Sequence, residues 1–256
     1  MLDFNRPINT SISSAINEQL NLLLDQALTL ERKTLPKRKY LGASSLGHPC
    51  SRALQYEYLS AVHHETSGFS GQTLRIFEAG HLFEALAARW LRLAGFELIT
   101  VDDNGKQFGF MVADTRIAGH IDGIIKTAPS GINITCPALW EAKSMNNRAW
   151  KETAKKGLTL SKPLYAAQIA LYQAYMTETI PSISKNPCLF TAVNKDNAEI
   201  YHELIPFDGE LAQKMSDKAV NIIRAIEADE LLPRTFSSKD YFECKMCHYQ
   251  DKCWGS

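Results

Sequence analysis

The sequence predicts an α/β (α+β) fold: a central mixed β-sheet flanked by helices, with a helical N-terminal extension and a cysteine-rich C-terminal segment. Three observations predict it. Residues 72–94 carry Leu74, Phe77, Phe83, Leu86, Trp90 and Leu93 at helical spacing, with Gly95 just past the end. Between 96 and 145, short apolar runs alternate with turn signals, as strands do. A second helical pattern then opens at Ser161-Lys162-Pro163, with Pro near its first turn, and leads into a hairpin signature over 188–207.

In chain order, residues 11–31 place Ile12, Ile16, Leu20, Leu23, Leu24, Ala27 and Leu28 at helical spacing, a packing helix with serines available as caps. A loop, Ser44-Ser45-Leu46-Gly47-His48-Pro49-Cys50-Ser51-Arg52, precedes a short helical pattern through Leu54 and Tyr58. In the 72–94 helix His81 and Glu84 stand three apart and are surface neighbours. Gly80 costs about 1 kcal/mol relative to Ala in a helix interior and predicts close backbone approach to another element.

Strands follow at 96–101 and 107–113, separated by the turn Asp102-Asp103-Asn104-Gly105, then at 117–126, with Asp122, and 138–145, with Glu141 and Lys143. Helical pattern resumes from Asn146. In the helix after Pro163, one stripe is Leu164, Ala167, Leu171 and Ala174, and another is Tyr165, Gln168, Tyr172 and Tyr175. Strands at 188–193 and 200–207 flank Asn194-Lys195-Asp196-Asn197, and a long helix covers about 209–228.

With 256 residues, the chain is long enough for one sizeable core and a small appended subdomain. Apolar content of 45% and charged content of 22% are those of a water-soluble globular protein, and no run of eighteen apolar residues predicts a membrane span. The start, Met1-Leu2-Asp3-Phe4-Asn5-Arg6, lacks the order of a secretion signal, which predicts a cytoplasmic protein whose six cysteines are thiols or metal ligands. Formal net charge is zero, so a nucleic-acid partner has to meet a local basic patch. Two patches exist. Arg32, Lys33, Lys37, Arg38 and Lys39 read as a solvated face, whereas Lys143, Arg148, Lys151, Lys155, Lys156 and Lys162 follow the acidic strand with only Glu152 opposing. No phosphate-binding Gly-rich loop with Lys-Ser/Thr occurs, so no nucleotide-driven motor is expected in this sequence.

The residues around which the chain is organised are Gly119-His120-Ile121-Asp122-Gly123 and Leu139-Trp140-Glu141-Ala142-Lys143. Side chains alternate along a strand, so Glu141 and Lys143 share one face and Trp140 and Ala142 the other. The turn signal Ala128-Pro129-Ser130-Gly131 allows the flanking strands to pair antiparallel, which brings Asp122 beside Glu141. Two adjacent buried carboxylates repel, and a divalent cation with oxygen ligands removes the conflict. A buried ion pair of Asp122 with Lys143 would account for two of the three residues equally well.

Asp122 followed by Glu141-Ala142-Lys143 resembles the signature of the PD-(D/E)XK nuclease superfamily. Three companions strengthen the resemblance. In RecB-like nucleases a helix bearing a His and a Glu, here His81 and Glu84, precedes the sheet and its His joins the metal ligands. The motif Gln168-Ile169-Ala170-Leu171-Tyr172 is similar to the Gln-x-x-x-Tyr motif that follows the catalytic strand there. Cys50 with Cys244, Cys247 and Cys253, a distant Cys followed by Cys-x2-Cys-x5-Cys, resembles the iron-sulfur staple of AddB-type nucleases and of CRISPR-associated nucleases in the same superfamily.

The resemblance implies a restriction-endonuclease-like α-β-β-β-α-β core. It implies Mg²⁺ or Mn²⁺ held by His81, Asp122 and Glu141, Lys143 as the group that activates or positions water, Glu84 as a secondary acidic contributor, and Gln168 and Tyr172 ordering substrate. His120, two before Asp122, is a second candidate ligand by strand alternation. Lys151, Lys155 and Lys156 would contact phosphates. Three cysteines within ten residues argue for metal over disulfide in a reducing compartment. Four thiolates fit a [4Fe-4S] cluster or a structural Zn²⁺, in which His48 or His248 could replace a Cys; the resemblance favours iron. Cys136 and Cys188 read as buried thiols.

The expected organisation is an N-terminal helical region at 1–60, a nuclease core at 61–232 and a cysteine segment at 233–256. The expected activity is exonuclease action on DNA, single-stranded or end-containing, alongside a separate helicase or recombination protein and with no membrane association. A non-catalytic, cluster-stapled DNA-binding subunit of a repair or recombination complex is the alternative; a zinc-ribbon module on an inert core leaves the buried Asp, Glu and Lys unexplained.

Overall fold

The computed structural model describes residues 10–36, 38–62 and 69–255. Met1–Arg6 and Lys37, which entered the expectations above, lie outside them, as does the side chain of Ile12.

Helix α1 (Thr10–Thr34) leads to a two-residue strand β1 (Leu41–Gly42), a 3-10 turn (Ala43–Ser45), α2 (Ser51–Val62) and the long α3 (Gly71–Leu93). Strands β2 (Glu97–Ile99), β3 (Gly109–Val112), β4 (Ile117–His120), β5 (Gly123–Thr127) and β6 (Ala138–Met145) follow. Then come α4 (Asn147–Lys156), α5 (Leu158–Ser161), α6 (Pro163–Met176), the hairpin β7 (Cys188–Asn194) and β8 (Ile200–Ile205), α7 (Gly209–Glu227), and two short helices, α8 (Phe242–Lys245) and α9 (Gln250–Trp254).

A five-stranded mixed sheet runs β2-β5-β6-β7-β8, antiparallel except for the β6–β7 pair, and a three-stranded sheet runs β1-β4-β3. The parallel pair is possible because α4, α5 and α6 form the crossover between its strands. On one face of the larger sheet, Leu98, Ile125, Trp140, Leu189 and Val193 pack against Ala87, Ala88 and Leu91 of α3. On the other, Ile124, Leu139, Phe190, Ala192 and Ile205 meet Ile169, Leu171 and Met176 of α6 and Ala219, Ile222 and Ile223 of α7. The alternation of β6 is therefore as expected: Trp140 and Ala142 fill the α3 side, and Glu141 and Lys143 turn to the α6 side. Helix α6 is apolar almost all round because it is covered on every side; even Gln168 and Tyr172 are buried.

Four expectations are corrected. The single strand at 117–126 is two strands in different sheets, broken at Ile121 and Asp122. The runs at 96–101 and 107–113 likewise shorten to β2 and β3 in different sheets, joined only by the bridge Val101–Gln107. Gly80 is not at a tight contact, since a Cβ there would meet only Ser144 Oγ of β6 at 3.9 Å. Tight contacts occur instead at Gly119 and Gly123. A Cβ on Gly119 would stand 2.7 Å from the Phe110 and Tyr172 rings, and one on Gly123 would stand 2.9 Å from the Ile99 carbonyl.

The fourth correction concerns helix packing. Helix α1 forms as expected but does not bury its leucines: Ile16, Leu20, Leu23 and Leu24 are exposed. It meets α3 through its other face, where Arg75 of α3 pairs with Asp25 and Gly71 lets the two backbones approach closely. On α3 itself, Leu74, Ala87, Ala88 and Leu91 are buried and Phe83 and Trp90 partly so, while Phe77, Leu86 and Leu93 face outward.

Candidate active site

Asp122 sits at the point where the chain leaves the small sheet for the large one. Pairing of Gly123 with Trp140 puts β5 antiparallel to β6, and Asp122 Oδ2 then accepts a hydrogen bond of 2.8 Å from the Ala142 amide. That bond fixes one carboxylate oxygen. Glu141, one residue before that amide, is fully buried, and its Oε1 accepts from Gln168 Nε2 of α6 at 2.6 Å and from the Lys143 ammonium. Its other oxygen, Oε2, is buried with no hydrogen-bond partner. Unpaired buried carboxylate oxygens are costly, so this one favours either protonation or an electropositive partner.

The electrostatics say the same. Burial, then the charge of Asp122, pushes the Glu141 carboxyl up to about 8. Burial raises Asp122 too, against the pull of Lys143. Burial would lower Lys143, but the charges of Glu141 and Asp122 outweigh it and hold its ammonium above the ordinary value. Glu84 on α3 is raised by burial and by Asp122, with His81 and Lys143 opposing. The site is a cluster of three carboxyl groups with a single lysine among them, short of positive charge.

Of the expected site residues, Asp122, Glu141, Lys143, Glu84, Gln168 and Tyr172 come together. Tyr172 lies under Gly119 and edge-on to Phe110, with burial first and Glu141 second raising its hydroxyl. His81 lies 3.7 Å from Glu84 with its side chain 81% exposed. Among the described residues no three His, Cys, Asp or Glu side chains are closed into a group that could hold a metal ion. His120 is displaced from the expected face, because the break after β4 removes the strand alternation; burial, and then the charges of Arg38 and Lys106, lower its imidazole. Lys151 and Lys155 are exposed on α4, whereas Lys156 and Lys162 both pair with Glu152.

Two neighbours of the site were not assigned to it from sequence, although one of them, Tyr165, shares the stripe of Gln168 and Tyr172. Tyr165 stacks under the Lys143 ammonium, 5.4 Å from ring centre to Nζ. The Cys188 thiol, at the start of β7, is buried close enough to Glu141 for that charge, after burial, to raise it. Both contacts depend on the crossover that brings α6 and β7 against β6. Cys136, expected to be buried, is only half-buried.

A second constellation lies where the start of α2 meets the C-terminal segment. Cys50, Cys244, Cys247 and Cys253 line one small cavity with His48, Tyr56, Phe236 and Trp254. All are free thiols, and burial raises Cys244 and Cys247, with the other cysteines adding to it. The tail is moored by ordinary bonds: Gln55 of α2 donates to the Glu230 carbonyl and accepts from the Leu232 amide, and Arg234 donates twice to the Cys253 carbonyl. Arg52 Nη1 lies 3.7 Å from Cys253 Sγ, and the Lys218 ammonium caps the Leu46 and His48 carbonyls. The four cysteines thus border a common space beside Arg52 and Lys218, but among the described residues no three of them are closed into a group that could hold a metal ion. His248 instead stands edge-on to Phe69.

No helix among the described residues is long and apolar enough to cross a membrane. The sequence matches no family model and no curated protein. The structure is similar to that of an alkaline exonuclease (LHK-Exo) from Laribacter hongkongensis, with a TM-score of 0.53 and 17% identity over 78% of this chain and 93% of that one. A structure of LHK-Exo in complex with dAMP gives 0.51 and 17% over 75% and 90%. The chain therefore has the restriction-endonuclease-like fold that the family resemblance implied and that its order of elements agrees with.

Proposed function

We propose that the chain is a metal-dependent deoxyribonuclease of the PD-(D/E)XK type, acting on DNA ends, with a cysteine-held iron-sulfur cluster that staples its termini. The observation that carries the first part is the partnerless oxygen of Glu141, fully buried beside Asp122 while Lys143 and Gln168 hold the other oxygen. The donor set is all oxygen apart from His81, which suits Mg²⁺ or Mn²⁺. Asp122, Glu141 and His81 would hold the ion, with His81 turning in from solvent, and Glu84 would add acidic character. Such a cation, when bound, supplies Lewis-acid stabilisation of a phosphoryl oxygen and a more acidic water.

The chain's own groups do the rest. The backbone amide of Ala142 and the side-chain amide of Gln168 fix the two carboxylates before substrate arrives. Lys143, kept charged by its neighbours and seated on Tyr165, is placed to hold the attacking water or a phosphate oxygen. Tyr172 backs the strand that presents Asp122. Similarity in fold to a protein described as an exonuclease and captured with dAMP supports cleavage at ends over internal cutting.

The test is digestion of end-labelled DNA. Cleavage should appear with Mg²⁺ or Mn²⁺, stop with EDTA and return when the metal is restored in excess. Ca²⁺ should bind without supporting turnover, since its looser coordination positions water less strictly. DNA binding without cleavage under all these conditions would instead establish the non-catalytic, cluster-stapled DNA-binding subunit.

The basic face gives a separate expectation. Replacing Lys151 and Lys155 by Gln should weaken DNA binding irrespective of sequence and reduce the slope of log K against log salt by about 1 to 2. Replacing Lys156, already paired with Glu152, should change the slope less. An unchanged slope in the double variant would make α4 a solvated face with no role in binding.

For the cysteines, the supporting observation is the shared cavity. A single zinc draws its thiolates onto one point at about 2.3 Å each, whereas a cubane gives each thiolate its own iron and spreads them. The four cysteines border one space, which supports a shared centre, and it is the family resemblance that favours the cubane over zinc.

A further inference from the structure

Helix α1 is attached to the body by its polar side. Asp25, Leu28 and Thr29 are its half-buried residues, and Asp25 meets Arg75 and Gly71 of α3. Counting 100° per residue from Asp25, the opposite side carries Ile16, Leu20, Leu23, Ala27 and Leu30. Their spacing of 4, 3, 4 and 3 is that of a coiled-coil seam. The large apolar ones are between 50% and 65% exposed, as is the adjacent Leu24. Nothing among the described residues covers them. An amphipathic helix that binds its own body with the wrong face needs a second surface for the right one.

We propose that α1 is a dimerisation helix whose seam pairs, antiparallel, with the same helix of a second copy of this chain. Three observations select that occupant. A half-exposed leucine retains roughly 100 Å² of apolar surface, so five such side chains from each copy would bury about 1,000 Å², which is the lower threshold of a specific interface. The residues flanking the seam suit self-pairing. With Leu23 set against Ala27 of the second copy, Leu24 meets Leu24, Gln26 meets Gln26, Asn17 meets Glu31 and Gln19 meets Lys33, and no like charges face each other. A parallel pair would instead bring the Arg32 and Lys33 ends of both copies together, with both helix dipoles aligned. The seam also lies away from the active site, whose contribution from this side of the molecule is His81 and Glu84 of α3, so pairing leaves the carboxylates open.

Sedimentation or light scattering of the full chain across about 1 to 100 µM tests this directly. The wild type should shift from monomer to dimer over that range. Leu23→Glu should remain monomeric at the top of it, with an unchanged circular dichroism spectrum and, at about 1 µM where both proteins are monomers, an unchanged thermal midpoint, because the side chain already faces water. Gln26→Lys sets like charges opposite each other only in the antiparallel pair and should weaken the dimer tenfold or more; a strengthened dimer would mean that the introduced ammonium faces Glu31 of a parallel partner and would overturn the orientation. A wild type that stays monomeric at the highest concentration, or a Leu23→Glu variant that still dimerises, would overturn the proposal.

Discussion

Glu141→Gln is expected to cleave DNA about 10³-fold more slowly than the wild type, or worse, while remaining folded. The substitution keeps the shape of the side chain in a site where volume changes are felt, while it removes the charge and turns one acceptor oxygen into an amide donor. It takes away the oxygen that has no partner in the protein and loosens the group on which Lys143 and Gln168 converge. Asp122→Asn should fall as far, since its carboxylate belongs to the same charge cluster. A second readout separates a lost ligand from a damaged fold. At a hundredfold excess over Kd, Mn²⁺ should raise the wild-type thermal midpoint by about 5 °C, and neither variant should respond. Glu141→Gln digesting DNA at the wild-type rate would remove the site from consideration.

The second large effect concerns Cys50, which lies some two hundred residues from its proposed companions. Anaerobically prepared wild-type protein should contain iron and a visible absorption band. Cys50→Ser should lose most of both, to the same extent as Cys247→Ser, because both sulfurs line the same cavity. Cys136→Ser and Cys188→Ser should retain their metal content; the first thiol is half-buried elsewhere and the second lies beside Glu141. A centre joining the two ends restricts a long loop in the unfolded chain, so the variants that lose it should also melt lower. Stoichiometric zinc without iron would keep the staple and reject the cluster. Full iron in Cys50→Ser would reject the grouping of four.

Local rules carried the sequence reading as far as the pairing of β5 with β6. Alternation placed Glu141 and Lys143 on one face, the turn around Pro129 and Gly131 made the strands antiparallel, and Asp122 duly reached the Ala142 amide. What local rules missed was decided by partners distant in the chain. The apolar run through Ile117, Ala118, Ile121, Ile124 and Ile125 keeps a strand-like pattern across the break at Asp122; the break exists because β4 pairs with β1 and β3 while β5 pairs with β2 and β6. That break also took His120 out of the site. For α1, periodicity showed that an apolar face exists but not what faces it. Tyr165 and Cys188 reach the site only through the parallel crossover, and no short-range pattern encodes the register between β6 and β7. Cys50 joined the other three through family resemblance, since spacing shows density but not convergence.

The two walls of the site differ in a way that bears on how such a protein could diverge. One wall is β6 with α6, which has almost no side free of contact, so a change near Gln168 or Tyr172 disturbs packing in several directions at once. The other is α3, where Ile76, Phe77 and Leu82 face water within a turn or so of His81. Substitutions there cost the fold little. Over evolutionary time the β6 and α6 wall of the proposed site is thus locked to the core, while the outward face of α3 around His81 and Glu84 can drift, and new substrate preferences in descendants of this sequence should be written on that face first.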